Sequence, residues 1–345
     1  MKVLVTGAGG FLGGAIAKAL ALRGDTVRSF SRGRYASLDA LGVEHVQGDL
    51  ARRGDVLRAA EGAGAVIHTA AKAGVWASRD AYLEANVAGT EHVLDACRAH
   101  GIRKLVFTST PSVVHAGGDI EGGDESLPYA SEFATAYPET KAIAERAVLG
   151  ENGPALATVA LRPHLIWGPG DPHLVPRILA RGRRGFVALP GGGKKKIDTV
   201  YVDNAAQAHL CALDRLEPDA ACAGRAYFVT NHDPRPLREI VLAILLAHGI
   251  RARVVPIPVR LALGAGSVLE RAYRLAGGLT GRGEGGREPP LTRFVVEQLA
   301  TAHWFDTAAA RRDLGYEPAI SIERGMELLA ASVTSAPSAA RRRSG

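Results

Sequence analysis

The sequence predicts an α/β fold, a doubly wound parallel sheet with a smaller C-terminal α/β lobe. Two observations predict the sheet: short runs that are apolar at nearly every position alternate with Ala-rich stretches, and a glycine cluster directly follows the first run. Strands covered by helices on both faces lose the polar alternation of a half-exposed sheet. The expected strands, in chain order, are 2–5, 26–30, 44–48, 65–68, 105–108 and 157–161.

The first strand leads into a glycine turn and then into a helical segment at 11–23. Three glycines are spaced through this turn, namely Gly7, Gly10 and Gly13, and the helix opens with Phe11 and Leu12. Glycine lets the backbone turn sharply and approach a pyrophosphate, while the helix N-terminus offers free N–H groups. In this context the pattern predicts a Rossmann-type dinucleotide site. A plain glycine turn is the alternative.

The end of the second strand distinguishes NAD from NADP. An acidic residue there would bind the ribose 2′-hydroxyl of NAD, but the chain has Ser31 and Arg32, and its next carboxylate is Asp39. Arg32 can lie against the adenine and pair with a 2′-phosphate. The sequence therefore favours NADP(H), with a solvated arginine loop as the alternative.

Residues after the third and fourth strands complete the expected cofactor site. Asp49 can accept a hydrogen bond from the adenine amino group, and Leu50 can cover the ring. Ala70 and Ala71 are small enough for a cofactor to pass close to the backbone.

Tyr137 and Lys141 stand four residues apart in YPETK, which places them on one face of a helix. A free phenol has a pKa of about 10, and a nearby ammonium favours the phenolate. We therefore expect Lys141 to lower the pKa of Tyr137 and make it a proton-exchanging group. A surface pair is the alternative.

Three hydroxyls end the fifth strand: Thr108, Ser109 and Thr110. Parallel sheets place their ligands at the carboxyl ends of strands, so we expect one hydroxyl to bond the substrate oxygen as charge develops there. Capping of the strand end is the alternative.

After Pro163 the pattern becomes irregular and turn residues cluster. We therefore expect a dinucleotide-binding domain over 1–165 and a mostly substrate-binding lobe over 166–330. A strand near 226–230 should return to the main sheet, and the low-complexity tail at 335–345 should be disordered.

Net charge is +7, but the runs Lys194–Lys196 and Arg341–Arg343 supply six charges, which leaves +1 for the rest of the chain. This distribution argues against nucleic-acid binding. Three cysteines without metal-ligand spacing argue against a metal site and for a reduced compartment. The chain enters a strand at Lys2, without a leader pattern, so we expect a cytoplasmic protein.

The motifs TGAGGFLG, GDL, HTAA, NVAGT, TST, YPETK and LRPHLIWGPGD resemble those of the extended short-chain dehydrogenase/reductase family. Within it, the chain is similar to the 3β-hydroxysteroid dehydrogenase-like branch and to its bacterial 2-alkyl-3-oxoalkanoate reductases of long-chain olefin biosynthesis. TSTPSVVH, EPPLTRF and HWFDTAAARRDLGY carry this closer similarity. The resemblance covers about residues 1–330.

The resemblance implies roles for individual residues. Tyr137 would be the general acid in reduction, Lys141 would also hold the nicotinamide ribose, and Thr110 would be the catalytic hydroxyl. Asn86 would help order the helix and an active-site water, or else be a helix-start residue. Pro163 through Ile166 would border the nicotinamide. Pro111 departs from the family pattern and is expected to affect how the Thr110 hydroxyl is aimed.

The implied reaction is NADPH-dependent reduction of the 3-keto group of a 2-alkyl-3-oxoalkanoic acid to a 2-alkyl-3-hydroxyalkanoic acid. The substrate carboxylate requires a cationic partner, for which Lys72, His164 and Arg177 are candidates by position; ordinary solvated or structural roles are the alternative. The family also implies a homodimer and partner enzymes of the olefin pathway.

Other functions remain open. The branch motifs also suit a 3β-hydroxysteroid or sterol-4α-carboxylate 3-dehydrogenase. A nucleotide-sugar epimerase or dehydratase is disfavoured because Arg32 argues against NAD, and a non-catalytic NADP sensor because the Tyr and Lys pair is kept. The segment 258–279 is too short in its uncharged part for a membrane span; it suits an alkyl groove, a membrane surface, a partner enzyme or an ordinary amphipathic helix.

Overall fold

The computed structural model describes residues 1–74, 76–279 and 289–335. Its main sheet has seven parallel strands, confirming the predicted doubly wound α/β fold. In sheet order they are β12 (Arg225–Val229), β7 (Ala157–Pro163), β5 (Lys104–Thr108), β4 (Ala65–His68), β1 (Lys2–Thr6), β2 (Thr26–Ser31) and β3 (Glu44–Gln47).

Helices cover both faces of this sheet. They are α1 (Phe11–Arg23), α2 (Ala36–Asp39), α3 (Arg53–Ala60), α4 (Arg79–Tyr82), α5 (Gly89–His100), α6 (Ala136–Gly150) and α8 (Val202–Arg215). Successive residues of β1 show why the strands are apolar throughout. Val3 and Val5 pack in a core with α1 and α8, whereas Leu4 packs in the opposite core with α3 and α5. Both sides of the strand are therefore buried.

The strand order reverses next to β1. The chain runs from β1 through β2 to β3 on one side, and then from β4 through β5 and β7 to β12 on the other. A reversal of this kind opens a crevice at the carboxyl ends of the strands, where open α/β sheets bind their ligands. We call this crevice the cleft. The glycine turn after β1 and the loops after β4 and β5 border it.

The remaining elements form small sheets and helices. A four-stranded sheet contains β13 (Arg235–Pro236), β10 (Lys196–Ile197), β15 (His303–Phe305) and β6 (Ile120–Gly123). Two strand pairs join β11 (Val200–Tyr201) to β8 (Ile166–Trp167) and β14 (Arg253–Ile257) to β9 (Phe186–Pro190). The helices here are α7 (Leu174–Gly182), α9 (Leu237–Ala247), α10 (Val259–Leu279), α11 (Arg293–Ala300) and α12 (Ile322–Ser335).

A separate apolar core, which includes Trp167, Ile240 and Leu329, holds this second lobe together. The strand expected near 226–230 corresponds to β12, which pairs with β7 at the edge of the main sheet. Residues of α8, together with Leu314 and Tyr316, also return to the main sheet, because they pack in the same apolar core as β1 and α1. Of the tail expected to be disordered, Ser335 ends α12, and 336–345 lie outside the described residues.

Among these described ranges, no helix combines the length and apolarity that a bilayer crossing requires. The same ranges contain no group of three or more His, Cys, Asp or Glu side chains arranged to hold a metal ion.

Candidate active site

The glycine turn after β1 is built for close backbone approach. Gly7 has a φ of +72°, and its N–H donates to the Phe30 carbonyl at 2.9 Å. A Cβ at Gly7 would lie 2.8 Å from the Ala70 backbone, and one at Gly13 would lie 2.2 Å from the Gly7 carbonyl oxygen. Gly10 caps α1 without a side-chain hydrogen bond, and the first turn has no acidic residue. These residues fit a pyrophosphate at the helix N-terminus.

The loop after β2 presents a basic residue beside this turn. Arg32 is exposed, and the described residues give its guanidinium no hydrogen bond or ion pair; Ser31 Oγ donates to the Gly33 carbonyl at 2.8 Å. Arg34 differs from Arg32 because it pairs with Asp39 at 3.0 Å, which also neutralises the carboxylate nearest to the loop. The loop therefore presents one arginine, Arg32, whose positive charge no described carboxylate neutralises.

Sequence reasoning missed Tyr35 in this corner. A Cβ placed on Gly9 would lie 1.9 Å from Tyr35 Cε2, so the phenol ring packs directly on the glycine turn. Its side chain is still 39% exposed. The available signal was a single aromatic residue directly after the two loop arginines.

The other residues predicted to line the cofactor site also lie in this corner of the sheet. Asp49 Oδ1 accepts from the Ala51 N–H at 3.1 Å, and the Leu50 carbonyl accepts from His92 at 2.7 Å. The Ala70 N–H donates to Thr6 Oγ1 at 3.2 Å, which fixes the turn after β4 next to the glycine turn. Ala71, the next residue, is exposed.

Tyr137 lies in the first turn of α6, where Pro138 is tolerated because that N–H has no helical partner. Burial raises the pKa of Tyr137 to about 12, and a hydrogen bond with the Thr110 side chain partly offsets this rise. Thr110 caps a short 3₁₀ turn, Pro111–Val113, and its oxygen accepts from the Ser112 N–H at 3.3 Å. Pro111 is thus the first residue of that turn, and the Thr110 hydroxyl still reaches Tyr137.

Lys141 lies one helical turn further along α6. Its Nζ donates to the Thr108 carbonyl at 2.5 Å and lies 3.9 Å from the centroid of the Phe107 ring. Burial lowers the pKa of Lys141 to about 7, and the Glu145 carboxylate partly opposes this shift. The expected lowering of the Tyr137 pKa is not found, because desolvation of the phenol is the dominant effect and the ammonium is directed to β5.

The other hydroxyls at the end of β5 have different surroundings. Thr108 Oγ1 is bonded to His209 Nε2 at 2.8 Å inside the core. Ser109 Oγ is buried without a hydrogen-bond partner among the described residues, although its N–H donates to the Leu161 carbonyl. Of the three hydroxyls, the structure brings Thr110 to the phenol.

Asn86 lies within a turn of π-helix, Leu83–Ala88, between α4 and α5. The helix-start interpretation was therefore wrong. Its Oδ1 accepts from the Lys72 N–H at 2.7 Å, and its Nδ2 donates to Thr140 Oγ1 at 3.1 Å. Asn86 thus ties the loop after β4 to α6, the helix that carries Tyr137 and Lys141.

The three cationic candidates occupy different places. Lys72 is exposed in the loop after β4, and Arg177 is exposed on α7, where it lines a cavity of about 590 Å³ with Arg181 and Arg184. His164 is buried, and its Nε2 lies 2.7 Å from Nδ1 of His303. Burial holds the pKa of His164 well below its ordinary value. A neutral imidazole supplies no positive charge, so the expectation of a cationic His164 was wrong.

The segment expected beside the nicotinamide joins two strands through a strained turn. Pro163 ends β7, Ile166 begins β8, and Leu165 between them has a φ of +42°, in the region that favours glycine. Strain of this kind persists only where the surroundings enforce it. Here the His164 N–H donates to the Val229 carbonyl at 3.1 Å, which holds the turn against β12.

Comparison with known proteins agrees with this arrangement. The model of the 3-beta hydroxysteroid dehydrogenase/isomerase family matches residues 4–259. The chain is 51% identical over 334 residues to the 2-alkyl-3-oxoalkanoate reductase of Stenotrophomonas maltophilia, covering 96% of this chain and 99% of that protein. It is 49% identical over 337 residues to the 2-alkyl-3-oxoalkanoate reductase of Shewanella oneidensis, covering 95% and 85%.

A solved structure extends the similarity to the fold. The UDP-glucose 4-epimerase of Thermus thermophilus, in complex with NAD, superposes with a TM-score of 0.71 at 26% identity. The match covers 97% of this chain and all of that one. The chain therefore belongs to the 3-beta hydroxysteroid dehydrogenase/isomerase family of extended short-chain dehydrogenases/reductases, and it is an oxidoreductase that acts on hydroxyl or keto groups with a nicotinamide cofactor.

Proposed function

We propose that the protein uses NADPH to reduce the 3-keto group of a 2-alkyl-3-oxoalkanoate in long-chain olefin biosynthesis. The observation that carries the reductive direction is the placement of the half-buried Tyr137 phenol next to the Thr110 side chain at the cleft, where desolvation raises the pKa of the phenol to about 12. The substrate class, 2-alkyl-3-oxoalkanoates, is supported by the two reductases that are 51% and 49% identical to this chain.

Tyr137 is the proton donor in this proposal. With its pKa at about 12, the phenol is protonated at neutral pH, which is the form that reduction requires. A carbonyl oxygen placed between the Tyr137 and Thr110 hydroxyls accepts a hydrogen bond from each as negative charge develops on it. The glycine turn would hold a reduced nicotinamide cofactor, and the chemistry that this cofactor would supply is hydride donation. The proton then moves from Tyr137 Oη to the substrate oxygen.

Lys141 supports this donor in two ways. Its bond to the Thr108 carbonyl fixes the end of β5, two residues before the Thr110 hydroxyl. Its side chain lies on the same face of α6 as Tyr137, one helical turn away, from where it would hold the nicotinamide ribose beside the proton donor. Both roles depend on the same buried ammonium.

NADP is proposed over NAD because of the corner formed by Arg32 and the glycine turn. Arg32 has no ion pair among the described residues, whereas Asp39, the nearest carboxylate along the chain, is paired with Arg34. The corner therefore offers positive charge to a 2′-phosphate. Lys72 is the proposed partner of the substrate carboxylate, because Asn86 holds its backbone next to α6.

The test is NADPH oxidation with 2-alkyl-3-oxoalkanoates of increasing alkyl length. Tyr137→Phe should reduce kcat by about 10² to 10⁴-fold, the usual contribution of a positioned proton donor. Tyr227→Phe is the matched control, since its phenol lies in the core and bonds Asp313 at 2.9 Å; it should stay within about threefold of wild type.

Two results would contradict the proposal. A Tyr137→Phe variant with undiminished turnover would remove the proton donor. Oxidation of a 3β-hydroxysteroid with NAD⁺, together with no turnover of any oxoalkanoate, would move the assignment to the steroid dehydrogenases of the family.

A further inference from the structure

Helix α10 exposes an apolar stripe to solvent. Leu261, Val268 and Leu275 are 69%, 66% and 71% exposed, and they follow one another at intervals of seven residues. Such a spacing places all three on one face of the helix. Small residues fill the same face between them: Gly264, Ala265 and Ala272. The stripe spans 15 residues of sequence, and its two ends lie about 21 Å apart along the helix axis.

The charges around this stripe all have one sign. Within the described side chains of α10, every exposed charged residue is an arginine: Arg260, Arg271 and Arg274. Arg260 and Arg271 border one edge of the stripe when the helix is viewed along its axis. The acidic residue of the helix, Glu270, is turned inward and accepts from the Arg293 N–H at 2.7 Å. The outer face is therefore apolar with a cationic border.

The inner face of the same helix covers two cavities. Ala262 lines the cavity of about 590 Å³ that also contains Arg177. Glu270 and Arg274 line a second cavity of about 300 Å³ together with Trp76 and Thr135. Thr135 precedes α6 directly and lies two residues before Tyr137. The inner face of α10 thus covers two cavities, one of which reaches the residue that precedes α6.

We propose that α10 docks flat on the surface of an anionic lipid bilayer. Apolar side chains on one face of such a helix enter the boundary between headgroups and acyl chains, while arginines at its edge reach lipid phosphates. A protein partner would also cover the leucines, but the one-sided arginine border and the absence of an exposed carboxylate on the helix match a phosphate surface. Docking would bring both cavities close to the membrane surface, where substrates with long, water-insoluble alkyl chains would reside.

The experiment is co-sedimentation of the full chain with vesicles of phosphatidylcholine, with and without phosphatidylglycerol. Wild type should bind the anionic vesicles, and Leu261→Ser/Val268→Ser/Leu275→Ser should bind about tenfold more weakly or worse, because three apolar insertions are lost. Leu22→Ser on α1 is the matched control, with a leucine 70% exposed, and should bind like wild type. All these positions are exposed, so an unchanged Tm will confirm folding.

Two outcomes would overturn the inference. If the triple serine variant binds anionic vesicles as wild type does, charges elsewhere, such as Arg341–Arg343, cause the binding. If wild type ignores vesicles but associates with itself in a manner that the triple variant abolishes, the stripe is an interface between copies of the chain. Neither readout depends on reductase activity, so the proposed function can fail or stand separately.

Discussion

Replacing Glu145 by Gln should destabilise the protein far more than the same change at another glutamate of α6. The Glu145 carboxylate is fully buried, and Arg162, with 4% side-chain exposure, donates to both of its oxygens at 3.1 and 2.5 Å. Tyr129 donates a third hydrogen bond at 2.8 Å. Glutamine would keep the shape but leave the buried guanidinium without its counter-ion.

The magnitude follows from this burial. Breaking a buried ion pair by removing one partner costs about 3 to 5 kcal/mol. Unfolding entropy of about 2.1 cal/mol/K per residue gives about 0.7 kcal/mol/K for 345 residues, so Tm should fall by about 4 to 7 °C. Glu139→Gln is the matched control, because its pair with Arg79 is partly exposed at 28% and 57% and should contribute about 0 to 1 kcal/mol.

The assay is thermal unfolding followed by circular dichroism or calorimetry, with both variants measured in the same buffer. If Glu145→Gln melts within about 1 °C of Glu139→Gln, the Arg162 pair is not desolvated as its burial indicates. Raising the salt concentration adds a second check, because screening weakens exposed pairs and leaves buried ones almost unaffected.

Two further predictions concern the cofactor corner and Lys141. Arg32→Ser should raise the KM for NADPH by about 10 to 150-fold, which corresponds to the loss of one charge-assisted hydrogen bond, and should leave the KM for NADH within about twofold. Arg34→Ser is the control and should change neither KM, because Arg34 is paired with Asp39. An equal increase of both KM values in Arg32→Ser would contradict this prediction. Burial lowers the pKa of Lys141 to about 7 in the folded chain, whereas a lysine in the unfolded chain has a pKa of about 10.4. Between pH 7 and pH 9 the unfolded chain therefore keeps a proton that the folded chain has lost. The free energy of unfolding should rise by about 2 kcal/mol over that window. Lys141→Met should lack this rise in a pH series of denaturation curves, and an identical slope in both proteins would refute the shift.

The elements of the main sheet could be predicted because their signal is local. The strands β1, β4, β5 and β7 begin or end within two residues of the predicted ones, since each is a largely apolar run, and β2 agrees as well although it contains Arg28 and Ser29. The predicted bounds of α1 agree with the structure because Gly10 precedes it and Gly24 follows it. The two-residue strands of the second lobe carry no such signal. Ile197, for example, pairs with His303, far along the chain, so only the tertiary fold defines the strand.

Side-chain direction was the part of the site that the sequence left open. Spacing places Tyr137 and Lys141 on one helix face, but it does not show that the ammonium bonds the Thr108 carbonyl instead of acting on the phenol. A π-helical turn at Asn86 has no motif of its own, because it differs from an α-helix by one extra residue in one turn. Burial of His164 depends on β15, which lies 139 residues away at His303.

That histidine pair also explains how the second lobe is positioned against the cleft. His303 Nε2 lies 2.7 Å from the Gln298 carbonyl, which can only accept, so this nitrogen carries the proton. Burial lowers the pKa of both imidazoles, so each is neutral, and His303 Nδ1 must then accept from His164 Nε2–H. His164, the residue after β7, thus donates one buried hydrogen bond to His303, the first residue of β15. A protonated His164 would place a charge against Phe305, whose ring centroid lies 5.6 Å away, and no carboxylate of the described residues pairs with it, so this position suits a neutral hydrogen bond between the two strands and not a positive charge.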